Sequence, residues 1–315
     1  MSIYNQFFIL FVLIGIGYLS KKTRIISNNM NKDLGNLILY IALPALIIQS
    51  TSTFTYSKEM IFEVINVAVI GFCLYLFYIV MSLVFPKILG AKGTQKDIIQ
   101  FMTIFANTGF MGFPVALVFF GEKGLFYMVI VNIFYDVFAW TYGVTILSRP
   151  SRGDEHQKMN LFSLKQLKGL INPCLIAVLL GLLFLILSIQ LPTTVTGVLD
   201  MLGSIASPLA MLFIGSMLAD LQFTKIFANK MIALSSSIRL IVLPLLVYFL
   251  LKALSLSGLM LSIPVMATAM PAAATTPLLA EKFGNDSYFS SQIVFVSTLF
   301  SALTIPLFVY ILKSF

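Results

Sequence analysis

Two segments of membrane length break in the middle, at matching places in the two halves of the chain. ANTGFMGFP (106–114) interrupts an apolar stretch from Ile98 to Phe120, and MPAAATTP (270–277) interrupts one from Leu259 to Phe283. Shifting the first half by 163 residues brings Pro114 onto Pro277 and Gly121 onto Gly284. A shift of 164 brings Gly17 onto Gly181 and Pro44 onto Pro208. A broken membrane helix leaves amides and carbonyls unpaired, which is tolerated only where protein or a polar cavity supplies partners. Helix breakers at corresponding points of two halves therefore point to a binding site in a carrier of small solutes.

The composition requires a bilayer. The chain is 59% hydrophobic and 10% charged, with a mean hydropathy of +0.99, and a soluble domain this apolar would expose too much greasy surface. The first apolar segment has neither a basic leader nor a small-residue cleavage site and is expected to be retained. Cys73 and Cys174 lie far apart in apolar segments, and the lone His156 sits in a polar loop. Neither pattern makes a metal site or a disulfide framework. P-loop, HExxH, GxSxG and paired-Cys motifs are absent from the sequence, so no enzyme, cofactor or metal is expected.

Ten spans are expected near 3–20, 33–50, 60–85, 98–120, 125–148, 170–189, 196–219, 231–252, 259–282 and 288–312, each able to cross ~30 Å of hydrocarbon. Of the 20 basic residues, fifteen fall in one alternating set of loops, four in the other, and Arg239 lies within a span. The rich side is cytoplasmic by the positive-inside rule, which places both termini outside the cell membrane. The net charge of +8 thus reports topology, and no nucleic acid is expected. Five spans per half is an odd number, so the second half must enter the membrane upside down. The expected fold is an all-α polytopic membrane protein of ten helices. It is built as two inverted five-helix repeats, 1–148 and 170–315, joined by a cytoplasmic connector, 149–169. The fourth and ninth helices are the broken ones.

At the fourth span the first half-helix is expected to end near Asn107 and Thr108, and the second to begin between Gly109 and Pro114. Proline suits a first helical turn, where its missing N–H costs nothing. At the ninth, Thr275 and Thr276 are expected to cap the half-helix that starts at Pro277. Two positive helix ends facing each other at mid-membrane make an anion site without a basic side chain. Asp136 in the fifth span and Arg239 in the eighth are intramembrane charges, which are functional hypotheses by default. Arg239 is a candidate for holding a carboxylate and Asp136 for exchanging a proton, the alternative being that the two satisfy each other or nearby backbone. Asn132 shares a helix face with Asp136. Gly15, Gly17, Ser204, Ser207, Gly215 and Ser216 suit close helix packing.

YIALPALI (40–47), ANTGFMGFPVALVFFGE (106–122), GLINP (169–173), IRLIVLP (238–244) and AMPAAATTPLLAEKFGND (269–286) occur in that order over the whole chain. Together they resemble the auxin efflux carrier family, which includes the plant PIN-formed carriers and bacterial permeases described as malate or malonate transporters. The resemblance implies an elevator-type carrier in which helices 3–5 and 8–10 move against a scaffold of helices 1, 2, 6 and 7. It also implies a homodimer formed through the scaffold, and an anionic substrate at the crossover of helices 4 and 9. Asn107 matches the family's substrate-binding asparagine and Pro271 its helix-9 proline, while Asp136 falls near a polar position of helix 5. Ala106 and Ala272 depart from the plant pattern, which has a proline and a polar residue there, and this weakens any case for auxin. With no carboxylate between Ile98 and Gly121 or between Gly258 and Ala280, sodium coupling is disfavoured. The expected activity is secondary or facilitative transport of small organic anions, with an anion channel as the alternative.

Overall fold

The computed structural model describes residues 3–52, 57–149, 173–187, 189–219 and 229–314. The connector from residue 150 onward, with His156, lies outside the described residues. Among those residues the fold is all helical, apart from two short extended pieces joined by a single bridge between Ala106 and Ala272. Six helical stretches are long and apolar enough to cross a membrane: Asn29–Ser52, Lys58–Ile88, Thr108–Leu147, Thr193–Ala219, Lys230–Ala253 and Ser287–Lys313. Pro173–Ile186 and Gly258–Ala269 are apolar but shorter.

Proline shapes these helices locally. Three π-helical turns, Ile38–Ala42, Thr108–Gly112 and Ile238–Val242, each end two residues before a proline: Pro44, Pro114 and Pro244. A proline has no N–H for the carbonyl four residues back, and its ring crowds that carbonyl. Widening the preceding turn by one residue relieves both problems without ending the helix. Gly121 and Gly284, paired by the 163-residue shift, both have positive φ, 69° and 71°. Gly284 closes the helix Thr276–Lys282: its N–H reaches the Glu281 carbonyl, and the Asn285 N–H reaches Ala280. This is a left-handed C-terminal cap that favours glycine.

The chain divides into two compact units, each assembled from separated pieces. One comprises Met1–Val69, Gly109–Ile130 and Ile171–Asp220. Here the helix Ile3–Lys22 lies along Ala206–Ala219, and Leu43–Ser52 lies against Pro173–Ile186 and Thr193–Ser204. Glycines set the closeness of these pairs. A Cβ at Gly17 would stand 2.2 Å from the Leu212 carbonyl oxygen, and one at Gly215 would stand 1.9 Å from that of Ile14. Gly181 abuts Thr51, and Gly203 abuts the backbone of Leu46. Ser216 is buried and donates to Asn31. Two expected packing residues do not pack: Gly15 is exposed with nothing within 4 Å, and exposed Ser204 turns back to the Met201 carbonyl. Near the start of Lys58–Ile88, Glu63 accepts from Tyr127 and pairs with Lys123 at 2.7 Å.

The second unit comprises Ile70–Thr108, Val131–Leu170 and Leu221–Phe315. At one end Arg149 binds Asp97 at 2.8 Å and Gln100, while the Asn285 amide donates to the Leu147 carbonyl. The Arg149 contacts tie the helix Gly93–Ile104 to the chain after Val144–Leu147. Gly143 lets Phe101 and Phe105 pack directly on the backbone, since a Cβ there would stand 2.9 Å from each ring.

Candidate functional site

Both sequence breaks are real breaks in the backbone, and they meet. The helix Gly93–Ile104 stops three residues earlier than the sequence suggests, because Phe105 is already extended at φ −102°, ψ 108°. Phe105–Asn107 then runs antiparallel to Pro271–Ala273: the Asn107 N–H donates to the Pro271 carbonyl at 2.8 Å and the Ala273 N–H to Phe105 at 3.2 Å. The two alanines that depart from the plant pattern, Ala106 and Ala272, face each other across this bridge and are buried. The Ala272 N–H is satisfied by Ser297 Oγ at 3.2 Å, from the helix Ser287–Ser314.

Arg239 serves the carbonyl ends of the broken helices. Its Nη1 donates to Thr103 O at 2.8 Å and its Nε to Met270 O at 3.2 Å, so one guanidinium joins the last turns of Gly93–Ile104 and Gly258–Ala269. Helix C-terminal carbonyls carry partial negative charge and lack intrahelical donors, so a buried cation is favourable there. Among the described residues Arg239 Nη2 has no acceptor, and neither does the Asn107 side-chain amide Nδ2; each residue is 3% exposed. Buried donors without partners are rare in folded proteins, and each calls for an explanation.

Aromatic rings enclose the crossing. Phe105 packs edge-on to Tyr135 and near Tyr75, which stacks on Phe138 and meets Tyr78. The Tyr78 hydroxyl is bonded to Thr268. Asp136 is half-buried and acts electrostatically on Tyr75 and Tyr135.

The residues singled out from sequence divide as follows. Asn107, Thr108, Asp136, Arg239, Pro271, Thr275 and Thr276 all belong to the second unit, whereas Gly109 and Pro114 belong to the first. Thr108 donates to Asn132, so that asparagine is part of the local network. The expected threonine caps do not form. Thr275 stands at the N-cap without a side-chain bond to the helix amides, and Thr276 is the first helical residue, its hydroxyl donating back to Ala273 O at 2.7 Å. The Thr275 φ/ψ is already helical, which aims its hydroxyl away from those amides. Sequence reasoning missed Ser297 and the tyrosines. A signal for the first was present: Ser290, Ser297, Ser301 and Thr304 recur at helical spacing in an apolar segment, and all four are buried.

Residues 2–309 match the family model described as "Membrane transport protein". The chain belongs to that family. Among its relatives are an uncharacterized transporter of Methanocaldococcus jannaschii, 28% identical over 96% of this chain and 97% of the relative, and the uncharacterized transporter YfdV of Escherichia coli, 24% identical over 95% and 94%. A protein of Rhizobium meliloti named "Putative malonate transporter" is 24% identical over 96% of this chain and 94% of its own length. This member of the membrane transport protein family is therefore a multi-pass membrane transporter, and the names of its relatives are those of transporters rather than enzymes.

Proposed function

We propose that the chain is a secondary or facilitative carrier of small organic anions that binds a carboxylate at the crossing of the two broken helices. The observation that carries this reading is a pair of buried donors, Asn107 Nδ2 and Arg239 Nη2, without acceptors among the described residues, on segments that meet there. A carboxylate is acceptor-only and bears the charge that a guanidinium lacks a partner for. The name of the Rhizobium meliloti relative supports a small organic acid as the solute.

In this reading ten spans form two inverted repeats, with both termini outside the plasma membrane. Exchanging the halves sends spans 1 and 7 to spans 6 and 2. The packing of Gly17 on Leu212 and of Gly181 on Thr51 supports that exchange. The carrier works as an elevator within a homodimer. The grouping of helices 1, 2, 6 and 7 in one unit supports a scaffold, although residues 58–69 and 109–130 group with it as well. Cross-links that hold the crossing at one depth without stopping transport would exclude the elevator.

Purified protein in liposomes is expected to exchange labelled malonate or a related carboxylate saturably, with trans-stimulation. Unitary currents instead of exchange would make it an anion channel. Asp136 is the candidate proton site, so Asp136→Asn is expected to abolish accumulation driven by a pH gradient while sparing exchange at equal pH. Accumulation by the mutant would exclude Asp136 from coupling.

A further inference from the structure

A carrier built on broken helices has to neutralise two kinds of helix end. The N-terminal ends attract anions, whereas the C-terminal ends and unwound carbonyls attract cations, and coupling ions are commonly held at such carbonyls. In this chain two C-terminal ends converge, those of Gly93–Ile104 and Gly258–Ala269. Both are reached by one side chain from a third helix: Arg239, in the π-helical turn Ile238–Val242, donates to Thr103 O at 2.8 Å and to Met270 O at 3.2 Å.

We propose that the Arg239 guanidinium is the resident cation of the crossing, filling the carbonyl site that a mobile ion would otherwise occupy. The chemistry suits arginine. Its charge is permanent, and its planar fork can reach two carbonyls in different directions while keeping a third nitrogen free. That third nitrogen, Nη2, is the one without an acceptor among the described residues. A lysine supplies the charge from a single point and cannot span both carbonyls with the same geometry. The π-helical turn contributes as well. It answers the demand of Pro244 for a widened turn, and the arginine lies within that turn. This inference deepens the carrier reading by assigning the cation beside the solute, yet its core claim concerns only the carbonyl ends.

The test therefore needs no solute. The full-length protein in detergent is unfolded thermally, with its single tryptophan, Trp140, as the fluorescence probe. Sodium, potassium, choline and guanidinium chlorides are compared at equal, low ionic strength. The wild type is expected to unfold at the same temperature in sodium, potassium and choline. Arg239→Ala is expected to unfold earlier in choline and to recover by about 3 °C or more in sodium or guanidinium, because an ion that binds only the native state raises stability. A wild-type protein stabilised by sodium over choline would overturn the proposal, as would an Arg239→Ala protein indifferent to all four salts. If Arg239→Ala cannot be purified, Arg239→Lys decides. Less stable than wild type but indifferent to sodium, it supports the proposal; stabilised by sodium, or as stable as wild type, it overturns it. Failure of carboxylate exchange in liposomes would sink the carrier reading and leave this result untouched.

Discussion

Gly215→Ala is expected to remove most of the folded protein. The added Cβ would sit 1.9 Å from the Ile14 carbonyl oxygen and 2.8 Å from the Tyr18 amide nitrogen. These are backbone atoms of a neighbouring helix, so no rotamer change relieves the clash. The helices Ile3–Lys22 and Ala206–Ala219 must separate, and they are already held on the other side of the same interface by Gly17 against Leu212. In lipid no hydrophobic drive brings helices together, and close packing is a main source of their association. Overpacking a core typically costs 1–3 kcal/mol, and a backbone clash in a membrane interface belongs at or above the top of that range. The matched control is Gly15→Ala on the same helix, where Gly15 is exposed and a Cβ meets nothing within 4 Å. That change is expected to be neutral, or stabilising by up to about 1 kcal/mol through helix propensity. Size-exclusion profiles and thermal unfolding of the two variants give the comparison. Equal behaviour would mean that the close approach does not hold this pair together.

What could be read from the sequence divides along physical lines. The breaks at 106–114 and 270–277 were legible because proline and glycine act locally, and a local conflict with the helix needs no tertiary knowledge. The 163-residue shift pairs Gly121 with Gly284, and both glycines have positive φ. The exact end of the first half-helix was not legible: Phe105 is a tolerable helix former, and it is extended here because its carbonyl pairs with Ala273 from a distant segment. Nor were the particular backbone partners of Arg239. Sequence marked it as an intramembrane charge, but only the fold brings Thr103 and Met270 to it across separations of 136 and 31 residues. The glycine inventory failed for a similar reason. Gly15 and Gly17 are equivalent in composition and differ only in which face of the helix meets a neighbour, as the burial of Gly17 and exposure of Gly15 make plain.

Asn107 is expected to be the residue whose change costs transport most while leaving the fold intact. Its structural contribution is a backbone one, the N–H to the Pro271 carbonyl at 2.8 Å, and any residue but proline can make that bond. Its side-chain Nδ2 donates to nothing among the described residues although the residue is 3% exposed. Removing that donor with Asn107→Ala therefore relieves an unsatisfied group in the empty protein and deletes a contact in the loaded one. A hydrogen bond to a charged partner is worth about 1.5–3 kcal/mol, so carboxylate affinity is expected to fall roughly ten- to a hundredfold. Thermal stability without solute should be unchanged or slightly raised. Asn107→Asp is the sharper variant. It keeps the size of the side chain but replaces the donor with a second anionic acceptor facing an anionic solute, and binding is expected to fall further than in the alanine variant. Equilibrium binding of malonate to the purified variants, with exchange in liposomes as the functional readout, separates the outcomes. Were Asn107→Asp to bind the carboxylate as well as the wild type, the solute would have to sit elsewhere, and the free amide at the crossing would need another explanation.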